Sequence, residues 1–204
     1  MVQARALIGP TLLALAVLAA SASRATEVAA VVAHPPVDAF FACTEHGAGI
    51  LTELGDNLGQ DCVVQRLITE NGRTWLRPYA KDGSRNEDWY GFGMDLMSPC
   101  DCKVVAVEQN AIDNKPGIMG NSRAAGIELE NSDGVHFALG HIQEPKVRVG
   151  DTVKAGDIIA RIGNNGYSRL PHLHIGAWKD RTPLQIRWDL NKMPLPTEYR
   201  RGSN

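Results

Sequence analysis

The sequence lacks the features that mark nucleic-acid-binding and membrane-spanning proteins. Its 21 basic residues do not outnumber its 23 acidic residues, which argues against a nucleic-acid partner and gives no sign of binding to a membrane surface. The apolar run over residues 12–20 is too short to span a bilayer. From Trp89 to Trp178 there is no long stretch with a helical period, so we expect little helix there. No internal repeat and no low-complexity segment stands out.

The first 25 residues have the pattern of a secretory signal peptide. Arg5 precedes the short apolar run, and Ser23 and Ala25 are small residues at the two positions that a signal peptidase reads. No cysteine lies near this cleavage site, which argues against a lipoprotein anchor. Cleavage removes two arginines and no acid, so the formal net charge changes from −2 to −4. We therefore expect an exported protein, periplasmic or secreted, with no stable membrane span after cleavage and enough chain for one domain.

The four cysteines fit an oxidising compartment. Three pairings are open. Cys43 with Cys62 is the first expectation, since it closes a modest loop that contributes about 3 kcal/mol in the chain-entropy model. Cys100 with Cys102 would close a very small ring near the limit of disulfide geometry. A Cys-x-Cys metal pair is the alternative, and export disfavours it.

The pattern from residue 88 onward predicts an all-β fold. Residues 102–107 form an apolar strand, and residues 127–130 and 135–139 alternate around a turn at 131–134, which is typical of a β-hairpin. Residues 147–163 then place two Gly-Asp turns between short apolar strands. This arrangement favours a compact and strongly bent antiparallel sheet.

The sequence Pro171-His172-Leu173-His174, which follows the glycine-rich run 163–166, is a candidate metal site. Residues two apart in a strand point to the same face, so both imidazoles enter one pocket while Leu173 faces the core. One imidazole can bind a metal and the other can transfer a proton.

Two other segments carry matching chemistry. Asp95 lies in the stretch Gly91-Phe92-Gly93-Met94-Asp95-Leu96, and His141 follows the return strand of the hairpin. A carboxylate and imidazoles brought together from separate strands are the ligand set of a catalytic zinc centre.

These segments, in this order, resemble the lysostaphin-type (LytM) zinc metallopeptidases, which cut peptide bonds in bacterial cell-wall peptidoglycan. The family's Gly-Asp hairpin is nearly intact at 150–159, and its glycine-rich turn and Pro-His-Leu-His are nearly intact at 163–174. The resemblance covers roughly residues 88–185. It implies a barrel-sandwich-like peptidase core of compact antiparallel sheets over these residues, a less regular N-terminal extension over 26–87 and a C-terminal tail over 186–204.

Carried over position by position, the resemblance implies that Asp95 and His174 bind Zn²⁺. It also implies that His141 and His172 activate water and stabilise the tetrahedral intermediate. The family's first motif has a histidine four residues before its aspartate, where this chain has Gly91. Since glycine offers no ligand, another group would have to complete the site. The candidates are Glu87, Asp88, His46, His34 and the pair Cys100 and Cys102.

Two hypotheses follow from the resemblance. The first is an exported zinc metalloendopeptidase that acts on peptidoglycan peptides. The second is a catalytically degenerate member that serves as a cell-wall-binding module or as an activator of a partner hydrolase. A third class, a carrier domain of the lipoyl type, is suggested by the hairpin over 150–163. The chain lacks the lysine that such a hairpin carries at its tip, and export argues against a carrier.

Overall fold

The computed structural model describes residues 27–194, and within them the chain is built almost entirely of β-strands. The predicted signal peptide at 1–25 and the final residues of the predicted tail, 195–204, lie outside the described residues. In the described part of the chain the one helical element is a 3₁₀ turn at Asn86–Asp88, and no helix there is long and apolar enough to cross a membrane. The fourteen strands are β1 (Ala30–Ala33), β2 (Phe41–Glu45), β3 (Gln60–Val64), β4 (Arg66–Glu70), β5 (Arg73–Arg77), β6 (Asp95–Met97), β7 (Cys102–Glu108), β8 (Gly126–Asn131), β9 (Val135–Gly140), β10 (Ile142–Gln143), β11 (Thr152–Val153), β12 (Ile158–Ile162), β13 (Leu173–Lys179) and β14 (Thr182–Trp188).

Nine of the strands form one large sheet. Its main order is β1-β14-β13-β9-β8-β7-β11, and β2 joins it through β3. Strand β13 lies in the middle of this sheet. Along one edge it pairs with β9, while along the other its first residues pair with β3 and its last residues pair with β14. The beginning of β13 is therefore the point where β3 and β9 meet the same strand.

The predicted hairpin is confirmed as β8 and β9, which pair antiparallel. The side-chain oxygen of Asn131 accepts hydrogen bonds from the backbone N–H groups of Asp133 and Val135, so a single side chain closes the turn. Gly134 takes a positive φ of 74° at the tip of this turn, a conformation that favours glycine. The hairpin ends at Gly140, so its register sets the position of His141.

A smaller sheet packs with the large one around a single apolar core. It has the order β10-β12-β6, and β4 and β5 form a separate two-stranded ribbon. Leu96 and Ile159 of the small sheet are fully buried, as are Leu129 and Ile175 of the large sheet. All four belong to one cluster of buried side chains. The prediction of an all-β fold with compact antiparallel sheets is confirmed.

The segment before residue 88, which is the predicted N-terminal extension, carries the first five strands. β1 pairs in parallel with β14, and β3 pairs antiparallel with β13. Alternate residues of β3 are buried, namely Gln60, Cys62 and Val64. This segment thus adds three strands, β1 to β3, to the large sheet, and β14 runs through the proposed boundary at residue 185.

Two disulfides are present. Cys43 is joined to Cys62, which is the pairing expected first, and Cys100 is joined to Cys102. The Cys-x-Cys segment therefore forms a disulfide and not a pair of thiolate metal ligands.

Candidate metal centre

The His-x-His segment enters β13 with both imidazoles on one face. Leu173 and Ile175 are 1% and 0% exposed and belong to the core, as strand alternation predicts. His172 and His174 lie on the other face and line a groove of about 740 Å³. The groove is therefore built on the sheet face opposite the core.

Asp61 of β3 lies directly opposite His174 in the strand pairing. One carboxylate oxygen, Oδ1, is 3.0 Å from His174 Nδ1 and 3.4 Å from His172 Nε2. The other, Oδ2, is 3.2 Å from His46 Nε2. Although burial alone raises the pKa of Asp61, the hydrogen bonds with His172 and His174 hold it well below its usual range. Asp61 is thus an ionised carboxylate in contact with three imidazoles.

The loop between β2 and β3 brings two more groups to His174. Asp56 Oδ1 is 3.2 Å from His174 Nε2, and the carbonyl oxygen of Gly55 is 3.1 Å from the same nitrogen. His46 Nδ1 lies 2.9 Å from the carbonyl oxygen of Asp56, which ties the two halves of the loop together. A Cβ atom at Gly176 would lie 1.7 Å from the Gly55 oxygen, so only a glycine in β13 allows this close approach.

His46, Asp56 and His174 form a candidate metal site. Each offers one ligand atom, and these atoms lie within 4.8 Å of one another. Two imidazole nitrogens and one carboxylate oxygen make up a known ligand set of catalytic zinc. On His174, Nε2 faces Asp56 while Nδ1 is held by Asp61, as is usual for a metal-binding histidine whose second nitrogen contacts a carboxylate. The donor set therefore fits a zinc ion.

The electrostatics around His174 favour positive charge at this position. Burial lowers its pKa, but the hydrogen bonds to Asp56 and Asp61 outweigh burial and raise the pKa to about 9. In the metal-free protein His174 is therefore a cation near neutral pH, placed between two carboxylates. A metal cation bound there would replace that proton.

His141 lies beside this cluster in the opposite protonation state. Its ring centre is 4.6 Å from that of His172 and 6.1 Å from that of His174. Burial is the main cause that lowers its pKa to about 4, and Coulombic repulsion from the neighbouring imidazoles of His172 and His174 adds to this. Its Nδ1 lies 2.8 Å from the backbone oxygen of Asn165. Near neutral pH Nδ1 therefore donates that hydrogen bond, and Nε2 keeps a free lone pair.

Hydrogen bonds to backbone carbonyls and to a buried hydroxyl hold His141 and His172 in place. His172 Nδ1 lies 2.8 Å from the carbonyl oxygen of Leu170, and Ser168 Oγ is 3.3 Å away. The Asn165 amide donates to the carbonyl oxygen of Ile142 and accepts from a backbone N–H, so the turn before β13 is tied to the chain around His141.

Residues from several loops also line the groove. They include the exposed side chain of Tyr167, together with Met119, Arg123 and Leu51. The floor is the histidine and aspartate cluster.

Of the four site residues predicted from the sequence, the structure brings together His141, His172 and His174. It does not bring Asp95 to them. Asp95 is at the surface, where its carboxylate lies 3.0 Å from Lys146 Nζ and 3.4 Å from Arg161 Nε. The hydrogen bond from Lys146 is the main cause that lowers its pKa, with a smaller contribution from Arg161.

Gly91 also faces away from the groove. A Cβ atom there would lie 3.2 Å from Val64 Cγ2 and 3.8 Å from Ile162 Cδ1, both in the core. Position 91 in this fold is therefore a packing position. Among the substitutes considered for the missing ligand, only His46 lies in the cluster.

The other substitutes have partners elsewhere. His34 Nδ1 contacts the carbonyl oxygen of Pro35, Asp88 pairs with Lys81, Glu87 pairs with Arg85, and Cys100 and Cys102 are joined to each other. Asp56 and Asp61 were not singled out from the sequence, because neither stands in a recognisable motif. The sequence offers one indication of them: both aspartates lie between His46 and Cys62, within the segment that the Cys43–Cys62 disulfide closes.

Comparison with known proteins relates part of the sequence to a peptidase family. Residues 90–186 match the sequence model of peptidase family M23. Lysostaphin of Staphylococcus simulans is 33% identical over 112 residues, which are 52% of this chain and 22% of lysostaphin. Glycyl-glycine endopeptidase ALE-1 of Staphylococcus capitis is 51% identical over 119 residues, which are 55% of this chain and 33% of that protein. The match thus spans a third or less of the length of these curated relatives.

Solved structures with a similar fold include the catalytic domain of lysostaphin from Staphylococcus simulans, with a TM-score of 0.42, 22% identity, and coverage of 71% of this chain and 86% of that one. The SpoIIQ–SpoIIIAH pore-forming complex is a second, with a TM-score of 0.46, 21% identity, and coverage of 84% and 97%. Through residues 90–186, this chain belongs to peptidase family M23, that of the lysostaphin-type peptidases.

Proposed function

We propose that this protein is an exported zinc metalloendopeptidase that cleaves peptides of bacterial peptidoglycan. The observation that carries the proposal is the convergence of His46, Asp56 and His174 on one point at the floor of a groove. Membership of family M23 supports peptide-bond hydrolysis, and the relatives named lysostaphin and glycyl-glycine endopeptidase support a cell-wall substrate. The signal-like N-terminus and the two disulfides support export to the periplasm or the medium.

In this proposal His46, Asp56 and His174 hold the zinc ion, and Asp61 orients His174 from the other side. Zinc in such a site polarises the scissile carbonyl and lowers the pKa of a bound water to near 7. Asp95 is left out of the ligand set, because its carboxylate is already paired with Lys146.

His141 and His172 are assigned to proton transfer. Because Nδ1 of His141 donates to the Asn165 carbonyl, its Nε2 is the nitrogen that can accept a proton from the attacking water. The low pKa of His141 keeps that nitrogen unprotonated near neutral pH. His172 is held through Nδ1 by the Leu170 carbonyl, and its Nε2 lies 3.4 Å from Asp61, which would stabilise the ring when it is protonated. A protonated His172 can donate to the developing oxyanion or to the leaving amine.

The test is zinc content measured beside hydrolysis. The mature protein is purified, its zinc is measured by elemental analysis, and chelator-sensitive release of peptides from peptidoglycan is assayed. A glycyl-glycine peptide is assayed in parallel, because one relative is named for that bond. We expect stoichiometric zinc and cleavage that chelation abolishes.

Variants identify the ligands. His174→Ala and Asp56→Asn should lose both zinc and hydrolysis, whereas Asp95→Asn is the matched control and should keep both. Zinc lost from Asp95→Asn but retained in Asp56→Asn would restore the ligand set implied by the sequence resemblance. A wild-type protein without zinc and without cleavage would instead favour the degenerate member that binds the cell wall or activates a partner hydrolase.

A further inference from the structure

The Cys43–Cys62 disulfide closes the loop that supplies both carboxylates and one of the imidazoles of the candidate metal centre. His46, Asp56 and Asp61 all lie between the two cysteines in the sequence. The separation is 19 residues, so one covalent link bounds the whole segment. None of the other site residues lies within that segment.

The disulfide is also in register with the His-x-His strand. Cys43 and Cys62 are directly opposite each other on β2 and β3, and Cys62 is opposite Leu173 on β13. Because Leu173 separates His172 from His174, the disulfide sits behind the two imidazoles, on the core side of the same sheet. Cys62 is 2% exposed and adjoins Asp61, which contacts both histidines.

Between the two strands the loop makes most of its hydrogen bonds within itself, for example from Asn57 N to Glu53 O and from His46 N to Gly59 O. Most of its residues from 47 to 54 are exposed, and they include the apolar side chains Ile50, Leu51 and Leu54. Its hydrogen bonds to the body of the protein converge on the metal centre itself, through Gly55 and Asp56 to His174. A loop held mainly at its base and at the ligands depends on both for its position.

We propose that the Cys43–Cys62 disulfide is a positioning element of the metal centre, so that the protein binds zinc tightly only while this bond is intact. The proposal rests on the metal site proposed above. Reduction by a dithiol transfers two electrons and two protons, breaks the S–S bond, converts Cys43 and Cys62 to thiols and leaves the reductant as a disulfide. The loop is then free to carry His46 and Asp56 away from His174.

The size of the effect follows from the residues that the link holds. Disturbing a group that orients a metal-binding histidine lowers metal affinity about 10- to 100-fold. Breaking the link loosens Asp61, which orients His174, and also two direct ligands. We therefore expect a loss of affinity of at least this size.

The chain offers a matched control, because the Cys100–Cys102 disulfide contains no site residue and lies outside the groove. The experiment compares wild type, C43A/C62A and C100A/C102A, each as the mature protein. Zinc affinity is measured by competition with a chromophoric chelator. Co²⁺ absorption spectra report the coordination geometry independently of hydrolysis. We expect weakened zinc binding and an altered Co²⁺ spectrum in C43A/C62A, and wild-type behaviour in C100A/C102A.

A second measurement covers the case in which C43A/C62A does not fold. The wild-type protein is reduced with a dithiol, the dithiol is removed by gel filtration, and the thiol content of the protein is measured. Its zinc affinity is then determined before and after reoxidation. Recovery of affinity on reoxidation, with a native far-ultraviolet spectrum throughout, supports the proposal. Unchanged affinity in the reduced protein or in folded C43A/C62A overturns it, as does loss of the native spectrum on reduction, which would make the bond a support of the whole fold. Failure of the oxidised wild type to bind zinc would instead overturn the metal site itself.

Discussion

Asp61 and His174 face each other across β3 and β13, and Asp61 Oδ1 accepts a hydrogen bond from His174 Nδ1 at 3.0 Å. These residues are 113 positions apart in the chain. The contact connects the segment before residue 88 to the Pro-His-Leu-His segment of the M23 domain. Because the same carboxylate also reaches His46 and His172, Asp61 connects the proposed metal ligands to the residues proposed for proton transfer.

Replacing Asp61 with asparagine should weaken zinc binding. The amide keeps the shape of the carboxylate but removes its charge, so it no longer increases the basicity of His174. We expect zinc affinity to fall about 10- to 100-fold with the fold intact. Competition with a chromophoric chelator measures this, with circular dichroism as the check on folding. Wild-type affinity in this variant would show that Asp61 does not support the metal centre.

Zinc binding should release a proton and become tighter as the pH rises. The metal needs the neutral form of His174, whose pKa in the metal-free protein is about 9. Below that pH we expect affinity to rise by up to about tenfold per pH unit, the slope for displacement of one proton. Chelator competition at several pH values between pH 6.5 and 8 gives the slope, and calorimetry in buffers of different ionisation enthalpy counts the proton. A flat pH profile would contradict this reading of His174.

The stability of the metal-free protein should be greatest near pH 6.5. The raised pKa of His174 gives stability that is fully present below 6.5 and is lost as the pH rises towards 9. The lowered pKa of His141 gives stability that is present above 6.5 and is lost as the pH falls towards 4. Each contributes up to about 3 kcal/mol.

Urea unfolding of chelator-treated protein at pH 5, 6.5 and 9 tests both the expected loss of stability towards alkaline pH and the expected loss towards acid pH. His174→Ala should reduce the loss of stability between pH 6.5 and 9 and leave the loss between pH 6.5 and 5 unchanged. Stability that rises steadily from pH 6.5 to 9 in the wild type would rule out the raised pKa of His174.

Gly176→Ala should impair zinc binding without unfolding the protein. The new methyl group would occupy the position of the Gly55 carbonyl oxygen, so the loop must move away from β13. Because Asp56 adjoins Gly55, its carboxylate would move away from His174. We expect loss of zinc binding while the sheet remains formed. Gly134→Ala is the control, since no atom lies within 4 Å of the added carbon, although its positive φ costs some stability. Normal zinc binding in Gly176→Ala would mean that the loop does not need this close approach.

Asn165→Ala should destabilise the protein by about 2–4 kcal/mol, because it leaves a buried N–H and a buried carbonyl without partners. The Asn165 side chain is fully buried, accepts from Ala125 N at 2.8 Å and donates to Ile142 O at 2.7 Å. Denaturant unfolding measures the change. Asn191→Ala is the control, since its amide is exposed and, among residues 27–194, its side chain hydrogen-bonds with Asp189 alone; it should stay within about 0.5 kcal/mol of wild type. Equal stability of the two variants would contradict this account.

Local pattern was enough to predict the β-hairpin and the two-faced His-x-His strand. Alternation with period two fixes which side of a strand is apolar, and the turn residues fix the hairpin register. His141 follows β9, whose last residue, Gly140, pairs with His174, so the hairpin and the His-x-His strand bring these histidines together. The Cys43–Cys62 pairing was the first expectation among the three pairings that the spacing left open.

The aspartates of the candidate site could not be found in the same way, and the sequence offered His46 only as one of several substitutes. Asp95 stands in a strand of suitable pattern, but its strand belongs to the small sheet, where it pairs with Arg161 of β12. A sequence motif does not state which of two sheets a strand will join, nor which face will meet the groove. His46, Asp56 and Asp61 come from a loop and a strand whose place depends on the pairing of β3 with β13.

The sequence by itself determined the strand-rich fold, the histidines of the groove and the relation to lysostaphin-type peptidases. Each of these follows from strand alternation, turn residues or short motifs, which involve residues close together along the chain. The tertiary structure alone decided which carboxylates meet the Pro-His-Leu-His segment. That choice depends on the register between strands more than a hundred residues apart, and such a register is set by packing of the whole core. It moves the acidic part of the candidate site from Asp95 to Asp56 and Asp61.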